Sequence, residues 1–294
     1  MAIIQYSKIE LTDYNNMAAT IRKRLVDIGT NGGMNQTGNT NSVSAGSKIS
    51  ASHLVNLRSD IARLYAKCFN LSPTAPTISQ NGLISYTDWN KYATDVSTIE
   101  SNYWKLNSAY AEVQSIFSRS SVSFSSGLQP NVRFTWASAN DLEAFFNMGG
   151  DLRFTFSATQ SQSPYAGSTK AAAYNAMFNS VGTVVIGHEV YSNASTYSTG
   201  PSTGVTTFNN FAIVVNASTA SPYPSNTFQV AVLRDSSVQI QVRFSFSDVS
   251  GPNPNVDEAI TVAVNGTYRQ PTATVGSVAW NRYPPTLGTI FAWQ

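Results

Sequence analysis

A chain of 294 residues with 42% hydrophobic content has enough apolar matter for two domains, or for one large β-rich domain with an appendage. Only 12% of its residues are charged, about half the ~25% usual in soluble domains, and Ser, Thr, Asn and Gln take the polar role instead. The formal net charge of +2 argues against a nucleic-acid footprint, which needs clustered Lys and Arg; "IRKRL" is the one dense basic point and reads as a solvated helix face.

The chain opens on "MAIIQYSKIELTD", which lacks a basic stretch followed by an apolar core, so no Sec-type signal is expected. No run approaches the ~18 consecutive apolar residues of a membrane span. From Thr12, read as an N-cap, Met17, Ile21, Leu25 and Ile28 share one helical face, with Gly29 just past the end. The Gly/Asn/Ser/Thr-rich stretch at 30–50 has no periodicity and is expected to be a flexible arm. A second helix is predicted over 51–69. Leu54, Leu57, Ile61, Leu64 and Cys68 form its apolar stripe, and Arg58, Asp60, Arg63 and Lys67 its polar face. The lone cysteine excludes an intrachain disulfide.

Beyond a Pro-broken linker, Trp89, Tyr92, Val96, Ile99, Tyr103, Leu106, Tyr110, Val113 and Phe117 repeat at heptad spacing. With Thr87 as N-cap, a continuous helix over 88–117 would be roughly 45 Å long. Such a helix is either an oligomeric coiled-coil seam or a bundle helix packed on the first two. Asn107-Ser108 is a place where it can end early. The candidate assembly residues are therefore Leu57, Ile61, Leu64, Trp89, Tyr92, Val96, Ile99 and Tyr103.

From residue 120 the period becomes two. "NVRFTW" turns Val132, Phe134 and Trp136 inward, and "DLRFTF" does the same with Leu152, Phe154 and Phe156. Between them lies a short helix capped by Ser138, with Asp141 at its third position. The Gly149-Gly150 pair follows that helix. A phosphate-binding loop needs its glycines before a helix, where free N–H groups point outward. After a helix, glycine supplies the left-handed cap. A fainter copy of this text at 178–186 predicts a second short helix and a strand at 183–188, giving a β-α-β-α-β segment on one sheet. Four further strands, with "RDSSV" as a hairpin turn, suggest a β-sandwich. Pro284-Pro285 bars the tail from a central strand, and its apolar end must dock on its own sheet or on a neighbouring subunit.

Candidate chemistry is sparse. His188 in "IGHEVY" lacks the second histidine of a zinc-hydrolase motif, and His53 lies in the first turn of a helix. The loop "DVSGPNPNVDE" gathers Asp248, Asn253, Asn255, Asp257 and Glu258, hard oxygen donors that suit Ca²⁺, although without EF-hand spacing; a hydrogen-bonded turn is the competing reading. No other cofactor is expected. Tyr165, Tyr191, Tyr197 and Tyr223 stand in Ser/Thr/Gly-rich loops, and Tyr197 and Tyr223 are the candidates for contact with a host surface glycan.

The run Phe145-Phe146-Asn147-Met148-Gly149-Gly150-Asp151-Leu152-Arg153-Phe154 resembles the central signature of uncharacterised virion structural proteins of tailed phages, contractile-tailed ones included. "LRSDIARLY" at 57–65, "ISYTDWNKY" at 84–92 and "GTVVIG" at 182–187 extend the resemblance over roughly residues 50–260. It implies a non-enzymatic, oligomeric component of the tail, neck, baseplate or fibre. Such a component would be assembled in the host cytoplasm, with itself and other virion proteins as partners and neither nucleic acid nor membrane. The expected fold is α+β: a helical assembly region over 1–119, then a β-rich body over 120–294 that ends in a sandwich and a docked tail.

Overall fold

The computed structural model describes residues 10–27, 33–79, 82, 84–121, 124, 126–160, 170–187, 212–219, 223, 225–248, 260–275 and 277–291. The architecture is α+β, an N-terminal helical region followed by a β-rich body with alternating β and α segments and two facing sheets.

Three helices, α1 (Leu11–Leu25), α2 (Ala51–Phe69) and α3 (Tyr86–Glu100), pack on one another. The first starts two residues earlier than its sequence suggests, with Glu10 and not Thr12 at the N-cap. Gly29 lies outside the described residues. The third is capped by Ser85 and not by Thr87: Asp88 N–H donates to Ser85 Oγ (3.1 Å) and Ser85 Oγ donates back to Asp88 Oδ2 (2.8 Å).

The long heptad helix does not form. α3 stops at Glu100, a turn follows, and residues Ala111–Ser120 become strand β1. Thr94, Thr98, Ser101 and Asn102 each donate a side-chain hydrogen bond to the carbonyl four residues back, at 2.8–3.1 Å. Such bonds compete with the helical ladder and weaken it. Beyond Tyr103 the heptad positions scatter: Val113 is 54% exposed, and Phe117 enters the core of the β body. The helical region therefore gives way to the β body before residue 111 and not at 119.

The arm at 33–50 has no helix or strand, as its composition indicates, but it is tied down. Asp60 of α2 accepts from Asn39 N (2.7 Å), Thr40 N (2.8 Å) and Thr40 Oγ1 (2.7 Å). Asn15 of α1 bonds Val43 through both its amide oxygen and nitrogen, at 2.8 and 2.9 Å. Met34 and Val43 are buried with the helices. The expected polar face of α2 is accordingly covered, because Asp60, Arg63 and Lys67 are all buried and only their spacing resembled a solvated stripe.

The β body adds β2 (Gly127–Leu128), β3 (Asn131–Thr135), α4 (Ala139–Asn147), β4 (Asp151–Gln160), α5 (Lys170–Val181), β5 (Val184–Gly187), β6 (Ala212–Ser218), β7 (Thr227–Ser236), β8 (Gln239–Ser247), β9 (Ile260–Pro271), the short hairpin β10 (Thr274–Val275) and β11 (Val278–Ala279), and β12 (Thr286–Phe291). One sheet runs β1-β9-β4-β5 and the other β12-β3-β8-β7-β6, with β2 also on β8; all these pairs are antiparallel. The segment β3-α4-β4-α5-β5 thus spans both sheets and does not share one. Helix α4 carries the chain from the second sheet to the first, and α5 links two neighbours of the first.

Period-two burial builds the core between the sheets. Phe154 packs edge-on against Phe244 (5.2 Å between centroids), Phe156 against Phe228 (4.6 Å), and Phe178 of α5 against Phe228 (5.2 Å). Trp136 and Phe145 close the α4 end at 5.5 Å. Each fully buried side chain of this kind contributes about 1.5–3 kcal/mol. The tail docks on its own molecule: after Pro284-Pro285, β12 pairs with β3 as an edge strand, as the prolines require.

Candidate functional site

The residues of the run from Phe145 to Phe154 sit at the junction of the helical layer and the β body. Ser138 Oγ accepts from Asp141 N (3.1 Å) to start α4, and the helix ends as Gly149 N and Gly150 N donate to Phe146 O and Phe145 O, each at 2.9 Å. Gly149 takes φ +85°, and a Cβ there would meet Trp104 O at 2.5 Å and Leu106 Cβ at 2.7 Å. The glycine pair is a helix stop that also lets the chain after α3 pass close by.

Around this stop the two layers are bolted together. Lys67 of α2, fully buried, donates from Nζ to Tyr103 O and to Met148 O (3.4 Å). A cation at the last carbonyls of α4 is favoured by the helix dipole, while burial holds the ammonium pKa below its usual value. Asn147 Nδ2 donates to Gly33 O (3.1 Å). Gln36 bonds Asn281 in both directions, Nε2 to Asn281 O at 3.1 Å and Asn281 N to Oε1 at 2.8 Å. Met148, Val275 and Trp280 of the β half are buried in the helical core, with the Arg63 guanidinium 5.6 Å from the Trp280 ring.

Beside the junction opens a cleft of about 400 Å³, whose walls include Cys68, Lys105, Gly150, Asp151 and Arg269. The Asp151 carboxylate is buried between two guanidiniums. Arg153 Nε reaches Oδ1 at 2.7 Å, and an Arg269 terminal nitrogen reaches Oδ2 at 2.7 Å. Antiparallel pairing puts Asp151 directly opposite Arg269, so the ladder itself sets the ion pair. The Cys68 thiol is pushed up by burial and lies 3.6 Å from Tyr103 O, which leaves it a poor nucleophile. The described wall holds charges that lock neighbouring strands together.

The eight candidate assembly residues, Leu57, Ile61, Leu64, Trp89, Tyr92, Val96, Ile99 and Tyr103, come together, but inside the chain. All are buried in the one helical core, so they are not open to a second copy. Of the Ca²⁺ candidates only Asp248 is described. It is buried with Lys170 Nζ 2.7 Å from its Oδ2, so a cation already faces it. Asn253, Asn255, Asp257 and Glu258 lie outside the described residues, and so do Tyr165, Tyr191, Tyr197 and His188. Tyr223 is half-buried in a turn, where its carbonyl accepts from Asn226 N at 3.1 Å. His53 is a helix-cap residue, with Ser50 N donating to its Nδ1 at 3.0 Å. Among the described residues, no group of three or more His, Cys, Asp or Glu is placed to hold a metal ion, and no helix is long and apolar enough to cross a membrane.

Sequence reasoning missed Lys67, Asp60 and Asp95. Asp95 is fully buried and accepts from Tyr65 Oη (2.8 Å), Thr74 Oγ1 (2.9 Å) and Ala75 N (2.7 Å). The one available signal was the i, i+3, i+7 spacing of 60, 63 and 67, which marks a single face. Compared with protein-family models, with curated proteins and with solved structures, the chain matches none.

Proposed function

We propose that this chain is a structural protein of a tailed-phage virion, an oligomeric connector or appendage of the tail, neck, baseplate or fibre. The observation that carries the reading is the junction. Each residue of the phage-like signature whose contacts are given above caps a helix, fills a core, pairs strands of one sheet or ties the helical layer to the sandwich. A part that transmits load between neighbours needs such a joint, since an unpaired interface within a chain is a hinge by default. A surface with few charges favours the same reading, because copies can pack without like-charge repulsion. The interface to neighbouring copies or other virion proteins would bury about 2,000 Å² or more, on surfaces other than the helical seam. No catalytic step is part of this role.

Antibody to the purified chain, gold-labelled and applied to particles of the phage that encodes it, tests the proposal. Label at one fixed place on every particle is expected. Unlabelled particles that also lack the chain by mass spectrometry would overturn it.

A further inference from the structure

Where α5 meets the ends of β7 and β8, three polar side chains converge in the interior from three separate elements. Lys170, Asn226 and Asp248 are 1%, 0% and 4% exposed. Thr227 pairs with Ser247, so Asn226 and Asp248 stand opposite each other one step beyond the ladder. Asn226 Nδ2 donates to Asp248 Oδ1 at 3.2 Å, and Lys170 Nζ lies 2.7 Å from Asp248 Oδ2. One carboxylate therefore holds an amine on one oxygen and a carboxamide on the other. The backbone around it is fixed. Asn226 N donates to Tyr223 O and its carbonyl accepts from Thr219 N, at 3.1 and 3.0 Å. Tyr174, one turn after Lys170 on the same face of α5, donates to Ser247 O at 2.6 Å.

As a plain ion pair this cluster stabilises weakly, because desolvating two charges offsets most of their attraction. As a reacting set it is complete. We propose that Lys170 and Asn226 become joined by an isopeptide bond, with Asp248 as the proton carrier. A proton passes from Nζ to the Asp248 carboxylate, leaving a neutral amine beside a carboxylic acid, the form a dry interior favours. Nζ attacks Asn226 Cγ and the carboxyl returns its proton to Nδ2. The Cγ–Nδ2 bond breaks and ammonia leaves. A second Nζ proton then moves to Asp248 as the amide forms. Neither an oxidant nor a metal enters the balance. Holding both partners on one carboxylate within a water-excluded core supplies the rate that free amines and amides lack. The product fastens α5 to the start of β7 covalently, a staple suited to a chain with no disulfide.

The test is the intact mass of the purified full-length chain under denaturing conditions, followed by protease mapping. Wild type is expected one ammonia lighter than its sequence, with a branched peptide linking Lys170 to Asn226. Lys170→Arg keeps a cation against Asp248 but forms no such amide, and is expected at full mass, as is Asn226→Ala. A full-mass wild type overturns the proposal. So does ammonia loss without the branched peptide, as a succinimide elsewhere would give, and so does loss of water with Lys170 joined to Asp248. The wild-type measurement decides even where a variant does not fold.

Discussion

Gly149 and Gly182 both follow a helix with φ in the left-handed region, +85° and +69°, yet their surroundings differ. Nothing lies within 4 Å of a Cβ built on Gly182, whereas one on Gly149 runs into the backbone of Trp104. Gly182→Ala is therefore expected to cost only the left-handed penalty of roughly 1–2 kcal/mol. Gly149→Ala adds a backbone clash and is expected to cost about 3–5 kcal/mol, near the upper end for single substitutions. Urea denaturation of both variants checks this. Equal costs would mean that the chain after α3 can move away from α4, and that the junction is looser than its contacts imply.

At the scale of elements, the helical layer is held by groups that titrate at opposite ends of the pH range. Arg24 of α1 donates from Nε to Glu100 Oε2 of α3 at 2.6 Å, and its second contact is to Glu100 Oε1. That hydrogen bond, with the guanidinium's charge behind it, holds the Glu100 carboxyl below its ordinary value of 4.5. A depressed carboxylate contributes stability that is present above its unfolded pKa and lost as pH falls through the folded one. Tyr14, Tyr65 and Tyr92 are pushed up to about 12, chiefly by burial. A raised pKa has the opposite sign: full stability below the ordinary value of 10.0, lost as pH climbs toward about 12. Thermal unfolding followed across pH should thus show a stability plateau with an acid edge below 4.5 and an alkaline edge above 10. Arg24→Gln should soften the acid edge and leave the alkaline edge in place. An acid edge unchanged in that variant would assign it to other carboxylates.

At the scale of the whole molecule, the helical layer and the sandwich have separate apolar cores, but Met148, Val275 and Trp280 cross from one into the other and Tyr283 packs against both. The layers are expected to unfold in one cooperative step, with far-UV circular dichroism and tryptophan fluorescence giving coincident transitions. Trp280→Ala removes the largest bolt, is expected to cost about 3–5 kcal/mol, and should separate the two transitions. Two transitions in the unaltered chain would make the junction a hinge and remove the support for a connector.

The sequence by itself determined whatever depends on near neighbours. The Ser138 cap with Asp141 three residues on, the glycine stop at 149–150, α2 from 51 to 69, and the alternation in "NVRFTW" and "DLRFTF" were all legible, because caps, left-handed turns and period-two burial are local. What failed was local in form and tertiary in cause. Heptad spacing from Trp89 to Phe117 is a true period, but the helix ends at Glu100, and from Ala111 pairing with β9 outweighs helical propensity, so that Val113 and Phe117 serve in a strand. Asp60, Arg63 and Lys67 have the spacing of a solvated face; only the arm and the β body laid over them make that face interior. Which sheet each strand joins, and the meeting of Lys170, Asn226 and Asp248, were beyond reach for one reason. Contacts between residues tens of positions apart are set by how elements pack, and no periodicity within an element records its neighbour.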